Sequence, residues 1–141
     1  MNTHSIERFI EPQDFLYATA LAEIKAGKKS SHWMWFIFPQ LRGLGRSAMA
    51  RIYGIEGLDE AWAYLSHPIL SARLTEISEA LLQLNTQNPK EILGEIDARK
   101  LQSSMTLFAL ISEDGSVFHQ VLDRFYGGQM DAHTLELLSR L

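Results

Sequence analysis

The amino-acid sequence predicts an all-α fold, a compact single-domain array of short helices. Apolar residues recur at the i, i+3, i+4, i+7 spacing of a helix along most of the chain. Strict alternation of apolar and polar residues, which would indicate a half-buried strand, is not sustained in any segment. Proline, glycine and asparagine separate the helical segments, but no break is long enough to divide the chain into two domains.

The first helices are predicted from an apolar stripe and an aromatic run. The stripe of the first helix consists of Tyr17, Ala20, Leu21 and Ile24. Gly27 is a natural stop for this helix, because glycine readily adopts the left-handed conformation found after a helix C-terminus. A helical turn then runs through residues 33–38, where Ser30 or Ser31 supplies the cap and Pro39 ends the turn.

Each later helix is predicted from a start signal, an apolar stripe or both. The start signals are Ser47, Pro68 directly after His67, Asn88 with Pro89, and Asp131. Ser47 opens a helix over residues 47–55, Gly94 ends the short helix that Asn88 caps, and another helix begins near Asp97. The stripes are formed by Leu70, Leu74, Ile77, Leu81 and Leu84, by Phe118, Val121, Leu122 and Phe125 before Gly127 and Gly128, and by Leu135 and Leu138.

The composition is that of an ordinary globular protein. The chain has 141 residues, 46% apolar and 21% charged, so one domain over residues 1–141 is expected, with residues 1–7 disordered. It has no cysteine, which excludes disulfides, thiolate zinc sites, a catalytic thiol and iron–sulfur clusters. The five histidines lack metal-ligand spacing, so we expect neither a metal nor a cofactor. No segment resembles a signal peptide or a membrane span, which predicts a cytoplasmic protein without a membrane partner.

Charge is distributed unevenly along the chain. The net charge is −4 and the pI is about 5.7, which argues against general nucleic-acid binding. Between Glu23 and Glu56, however, there is no acidic residue. The six basic residues of that segment are Lys25, Lys28, Lys29, Arg42, Arg46 and Arg51. The segment therefore carries +6 and the remainder of the chain −10.

The same basic segment holds an aromatic run, SSHWMWFIFPQ. Positive charge interleaved with aromatic rings suits a ligand that carries phosphate and a flat base, which Trp33 or Trp35 would stack. Runs of this kind also pack into protein cores, and that alternative stays open. His32 and Gln40 flank the run as further candidate ligand contacts, with a packed or capping histidine as the alternative for His32.

Residues 43–47, Gly-Leu-Gly-Arg-Ser, form a candidate anion site at the start of a helix. A helix start offers free backbone N–H groups, and Ser47 is the first residue of the predicted helix. Gly43 and Gly45 would let a ligand approach the backbone. Arg42 or Arg46 would add a bidentate contact to phosphate. The pattern is neither a Walker A loop nor GxGxxG, and an ordinary turn is the alternative.

Asp97, Lys100 and Ser104 are the candidate catalytic residues. At about 100° per residue they project within about 60° of one another from a helix. Apolar residues such as Leu101 and Phe108 lie on the same side, so these polar groups point inward. A satisfied ion pair that ties helices together is one interpretation. In the other interpretation, Asp97 lies at the base of a pocket, where it positions a water or stabilises developing positive charge. Lys100 and Ser104 would then orient the Asp97 carboxylate.

Four segments carry a resemblance to a known family: SHWMWFIFPQLRGLGRSAMARIYGI, SHPILSARL, DARKLQSSMTLFA and FYGGQMDAHTLELL. The chain resembles, over nearly its whole length, the bacterial domain-of-unknown-function 1810 family, sometimes labelled calpastatin-like. The resemblance implies a compact, mainly helical single domain and no established activity. The chain is also remotely similar to the NADAR proteins, which are associated with NAD and ADP-ribose metabolism and include N-glycosidases, through a Gly-Arg element and an HPxL segment at residues 67–70. That similarity implies a nucleotide-sugar ligand and assigns no residue.

The leading hypothesis is a pocket where residues 32–51 meet the helix at Asp97. It would bind a phosphate-bearing, nucleotide-like molecule related to NAD or ADP-ribose and cleave its N-glycosidic bond. In the alternative, the protein is a non-enzymatic interaction module or a homodimer that uses the aromatic residues 32–40 as an exposed patch. Contact with RNA through the basic segment is disfavoured by the acidic remainder of the chain.

Overall fold

α-Helices account for the regular structure of residues 5–141, the part of the chain that the computed structural model describes. Within that part, a 3-10 turn at Ile6–Phe9 precedes nine helices. They are α1 (Ile10–Lys25), α2 (Met34–Ile37), α3 (Ala48–Tyr53), α4 (Leu58–Ser66), α5 (Pro68–Leu82), α6 (Pro89–Leu93), α7 (Glu95–Leu110), α8 (Val117–Tyr126) and α9 (Ala132–Ser139). Outside the helices, the described backbone forms one isolated β-bridge, between Leu41 and Ile55. The all-α prediction is therefore confirmed.

Side-chain caps place several helix starts where the sequence predicts them. Asn88 and Asp131 each accept a hydrogen bond from a backbone N–H in the first turn of their helix. His67 caps α5 through Nδ1, which accepts hydrogen bonds from two backbone N–H groups. Gly27, with a φ of +78°, follows α1 in the left-handed region.

The predicted end of α3 and the predicted cap of α2 need correction. α3 ends at Tyr53, two residues earlier than expected, because Gly54 adopts an extended conformation and Ile55 pairs with the strand-like backbone at Leu41. Neither Ser30 nor Ser31 caps α2, whose first turn has no side-chain cap. Both serines are instead held by a carboxylate at the end of α1.

Helix α4 was not predicted from the sequence. Two of its large apolar residues, Leu58 and Trp62, are 42% and 61% exposed. Leu58, Ala61, Trp62 and Leu65 follow the i, i+3, i+4, i+7 spacing of a helix, so the signal for α4 is present in the sequence, although two members of this stripe face the solvent.

Helix α7 lies at the centre of the molecule. It packs against α4, α6, α8 and α9, and every residue from Ser103 to Ala109 is buried. Phe108 lies between Tyr64 and Phe118, with ring centres 5.3 and 5.8 Å away. The C-terminal half of α7 is thus fixed inside the core, while its N-terminal half reaches the surface.

The N-terminal turn is tied to α4. Arg8 contacts both carboxylate oxygens of Glu60, at 2.9 and 3.1 Å, and Ser5 accepts a hydrogen bond from the N–H of Glu7. The sequence analysis expected residues 1–7 to be disordered. Residues 1–4 lie outside the described residues, and residues 5–7 belong to the cap and the start of the 3-10 turn.

None of the described helices has the length and hydropathy needed to cross a bilayer.

Candidate functional site

The aromatic run at residues 33–38 is part of the hydrophobic core. Five of its side chains are at most 3% exposed: Trp33, Met34, Phe36, Ile37 and Phe38. A fully buried indole cannot stack a ligand's base, so the role expected for Trp33 is corrected. The same burial corrects the expectation that residues 32–40 form an exposed patch for a partner or a second copy of the chain.

The loop before α2 is held by Glu23, in the last turn of α1. Its Oε1 accepts hydrogen bonds from the N–H groups of Ser30 and Ser31 and from the indole of Trp33, at 2.8 to 3.0 Å. Its Oε2 accepts one from the Ser31 hydroxyl at 2.6 Å. Burial alone would raise the pKa of Glu23, but these hydrogen bonds outweigh it and lower the pKa from 4.5 to about 2. Glu23 therefore stays ionised and fixes the loop.

Asp97 lies in a cluster of ion pairs. Its Oδ2 is 3.0 Å from the ammonium of Lys29, and its Oδ1 is 3.8 Å from that of Lys100. The Lys29 side chain is only 9% exposed, and its ammonium lies 5.0 Å from the ring centre of Trp33. This geometry matches the structural interpretation of Asp97 and Lys100, with Lys29 as a third member that the sequence did not indicate.

Ser104 is fully buried, and its hydroxyl has no hydrogen-bond partner within residues 5–141. A hydroxyl enclosed in the core cannot orient a ligand at an open site. Asp97 is meanwhile engaged by two ammonium groups. The role expected for Ser104 is therefore corrected, whereas a catalytic role for Asp97 and Lys100 stays a prediction.

The glycine-rich turn before α3 is built by contacts within the fold. Arg42 pairs with Glu56 at 2.9 Å and also donates to a backbone carbonyl. The Ser47 hydroxyl caps α3 by accepting a hydrogen bond from the N–H of Ala50 at 3.1 Å. A Cβ on Gly45 would lie 2.7 Å from the Cβ of Ala50, so close packing requires glycine here. Arg42 and Ser47, two members of the phosphate site expected at this turn, therefore already have structural partners, and the phosphate site itself stays a prediction.

Three other expected ligand contacts lie on the surface without converging. His32, Gly43 and Arg46 are all exposed, and Gly43 has a φ of +105°. In the described part of the chain, the side chains of His32 and Arg46 have neither a hydrogen bond nor an ion pair. None of the three lines the groove that is described next, although Arg46 directly follows Gly45, which does.

A groove of about 280 Å³ lies between residues 40–45, the N-terminal half of α7 and the start of α9, hereafter the α7–α9 groove. Its lining residues are Gln40, Leu44, Gly45, Ile96, Arg99, Lys100, Ser103, Asp131 and His133. The structure thus brings Gln40, Gly45 and Lys100 together from the predicted set, next to residues that were not predicted. Asp97 and both tryptophans of the aromatic run are not part of this lining.

Basic side chains dominate the polar lining of the α7–α9 groove. Arg99 and His133 are exposed, and neither side chain has a hydrogen bond or ion pair to any other described residue. Lys100 is one-quarter exposed. Asp131 is the one carboxylate of the lining, and its Oδ2 accepts two hydrogen bonds from Thr134. The lining therefore has a net positive charge whether His133 is neutral or protonated.

A narrow cavity of about 10 Å³ lies behind the groove, with room for about one water molecule. Gln40 and Lys100 line both spaces, and Trp35 and Tyr53 are among the other walls of the cavity. The ammonium of Lys100 is 5.4 Å from the ring centre of Trp35. Trp35 therefore contacts Lys100 from the cavity and does not line the groove. Nowhere in residues 5–141 do three or more histidine, aspartate or glutamate side chains surround a possible metal position.

Comparison with known proteins places the chain in a family. The model of the family described as "Protein of unknown function (DUF1810)" matches residues 3–138. The chain belongs to the DUF1810 family. It is also similar to the conserved hypothetical protein Rv1873 from Mycobacterium tuberculosis, for which a crystal structure is known, at 43% sequence identity and a TM-score of 0.93. That similarity covers 98% of this chain and 99% of the other. No curated protein matches the sequence.

Several residues of the α7–α9 groove were not predicted from the sequence. Arg99 lies in the same short segment as Asp97 and Lys100. The sequence showed its charge but not that its side chain lines a groove. Asp131 was predicted only as a helix cap, and His133 was one of five scattered histidines. The proximity of α9 to α7 was the missing information, and no local pattern indicates it.

Proposed function

We propose that this protein binds an anionic, phosphate-bearing small molecule in the α7–α9 groove, with a nucleotide of the ADP-ribose type as the leading candidate. The observation that carries the proposal is the position of Arg99. Its exposed guanidinium has no partner within residues 5–141 and lines a groove to which Lys100 and His133 also contribute. A planar guanidinium can donate two parallel hydrogen bonds to a phosphate, which makes arginine the preferred residue for this contact.

Lys100 is suited to a second contact with the ligand. Its ammonium is 3.8 Å from Asp97, a looser contact than the 3.0 Å pair between Asp97 and Lys29. Turning Lys100 toward an anion therefore leaves Asp97 with an ion-pair partner. The ring of Trp35, whose centre is 5.4 Å from the ammonium, gives Lys100 a cation–π contact.

The apolar part of the groove suits the non-ionic part of a nucleotide. Ile96 is 66% exposed, and Leu44 is half-buried beside the core. A sugar or base that covers these side chains removes apolar surface from water, which is favourable. These residues replace the tryptophans as the expected contact for a base. The volume of about 280 Å³ accommodates the phosphate end of a nucleotide, with the remainder lying over the rim.

Isothermal titration calorimetry with ADP-ribose tests this proposal. We expect measurable binding to the unmodified protein and a Kd that is about 10- to 100-fold weaker in the Arg99→Gln variant, because a hydrogen-bonded charge contributes about 1.5–3 kcal/mol. AMP and inorganic pyrophosphate, titrated in parallel, separate recognition of the nucleoside from recognition of phosphate alone.

Arg51→Gln is the matched control for this experiment. Arg51 is also an exposed arginine, but it does not line the groove, so its replacement should leave the Kd and the melting temperature unchanged. The proposal is wrong when the unmodified protein binds none of the three probes, or when Arg99→Gln binds ADP-ribose as tightly as the unmodified protein does.

A second candidate function is cleavage of an N-glycosidic bond in the same groove, with Asp131 in the role first expected for Asp97. Asp131 lines the groove, and its two hydrogen bonds from Thr134 both go to Oδ2, which leaves Oδ1 without a bond to the described residues. A carboxylate in this position stabilises the positive charge that develops on the sugar and activates a water for attack.

Release of nicotinamide from NAD, followed by chromatography, tests this second function. The unmodified protein should release nicotinamide, and Asp131→Asn should reduce the rate at least about 100-fold, in the range of a lost general base. Asparagine is an equally good helix cap, so α9 should remain folded in the variant. Absence of nicotinamide release by the unmodified protein rules this function out without affecting the binding proposal.

A further inference from the structure

We infer that Lys29 is a positioning residue for the α7–α9 groove: it occupies Asp97, so that Lys100 remains available to the bound anion. This inference rests on the proposed binding function. It also explains why a carboxylate, Asp97, lies directly beside Lys100, a lysine that is expected to bind an anion. The proposed binding function alone does not explain this placement.

The two lysines approach different oxygens of Asp97 at different distances. Lys29 is 3.0 Å from Oδ2 and its side chain is 9% exposed, whereas Lys100 is 3.8 Å from Oδ1 and is 25% exposed. The shorter and less exposed pair is the stronger one, because a pair shielded from water is screened less. Lys100 lines the groove and Lys29 does not.

The backbone of Lys29 is fixed independently of its side chain. Its N–H donates to the carbonyl of Ile92 at 2.7 Å, and the following residues are held by Glu23. The loop therefore presents the Lys29 ammonium to Asp97 in a defined place. A change of the side chain alone should remove the ion pair without releasing the loop.

Removal of the Lys29 charge should transfer Asp97 to Lys100. A partly buried carboxylate that loses its partner costs free energy, and the remaining cation beside Asp97 is Lys100. The lysine would then be held by Asp97, and a ligand anion would have to compete with a carboxylate for it. Lys29 thus influences ligand binding from outside the groove.

The experiment measures the Kd for ADP-ribose in a set of variants. Lys29→Met removes the ammonium but keeps an unbranched side chain of similar length, and we expect it to weaken binding about tenfold, comparable to losing one charged hydrogen bond. Lys28→Met, which removes a neighbouring exposed lysine, is the control for a general loss of positive charge and should leave the Kd within about twofold.

Two double variants separate positioning from a structural effect. In a Lys100→Met background, Lys29→Met should cause no further loss, because Lys29 acts through Lys100. In an Asp97→Asn background, Lys29→Met should bind as tightly as the unmodified protein, because no carboxylate remains to hold Lys100. A structural effect of Lys29→Met would lower the melting temperature and would add to the loss caused by Lys100→Met, whereas an effect that acts through Lys100 would not.

A second readout does not need a ligand. The rate at which an acylating reagent modifies Lys100, followed by mass spectrometry of peptides, should fall in Lys29→Met and recover in the variant that also carries Asp97→Asn. An unchanged Kd in Lys29→Met, together with an unchanged Lys100 reaction rate, overturns the inference while the binding proposal stands. Failure of the unmodified protein to bind any probe overturns the binding proposal and this inference together.

Discussion

At the scale of single residues, one carboxylate organises the loop that joins α1 to α2. Glu23 accepts hydrogen bonds from two backbone N–H groups, from a serine hydroxyl and from the indole of Trp33. Hydrogen bonds to a charged acceptor are stronger than those between neutral groups. The last acidic residue before the basic segment is therefore a structural element, and it also positions the backbone next to Lys29.

Replacement of Glu23 should destabilise the protein in a pH-dependent way. We expect Glu23→Gln to lower the free energy of unfolding by about 1.5–3 kcal/mol at neutral pH, measured by urea denaturation. The pKa of this carboxyl is about 2 in the fold against an ordinary 4.5, so the unfolded chain takes up the proton more readily. The stabilising contribution is therefore complete above about pH 4.5 and is lost as the pH falls toward 2.

The difference in stability between Glu23→Gln and the unmodified protein should accordingly shrink across that acidic range. Glu79→Gln is the control, because Glu79 is exposed on α5 and has no hydrogen bond or ion pair to the other described residues. A difference that stays constant from pH 6 to pH 3 would show that the charge of Glu23 is not what holds the loop.

At the scale of the elements, the shortest helix carries a large part of the core. α2 has only four residues, too few to be stable alone. Its flanking residues Trp33 and Phe38 are nevertheless almost completely buried. Its conformation is thus fixed by packing, which is why a run with no clear helical stripe still forms a helical turn.

Two tryptophan variants test this description of α2. Trp33→Ala should lower the free energy of unfolding by about 3–5 kcal/mol, because it leaves a large cavity in the core, and it also removes the hydrogen bond to Glu23. Trp62→Ala, at a site that is 61% exposed, should cost no more than about 1 kcal/mol. Chemical denaturation measures both. Equal costs for the two variants would contradict the assignment of the aromatic run to the core.

At the scale of the whole molecule, the fold could be predicted better than the site. Helix starts and ends depend on local chemistry, such as the cap at Asn88 or the glycine at position 27, and these signals can be read from short segments. The groove instead depends on which helices are neighbours. Helical spacing correctly gave Asp97 and Lys100 a common side of α7, but it could not reveal that Lys29 meets Asp97 there. Nor could it reveal that His133 and Arg99 line one groove.

The distribution of charge had a similar limit. The basic segment of the sequence suggested a single positive surface, but its members separate in the fold. Arg42 pairs with Glu56 and Lys29 with Asp97, while Arg99, from outside the segment, lines the groove. Charge counted along the sequence therefore predicted an anion site but did not indicate the basic residues that line the α7–α9 groove.

The most direct test of the central claim is a nuclear magnetic resonance titration of the isotopically labelled protein with ADP-ribose. Binding in the α7–α9 groove predicts saturable changes of backbone amide signals concentrated at residues 40–45, 96–103 and 131–133. Absence of any change, or changes concentrated on α4 and α5, would contradict the proposed site.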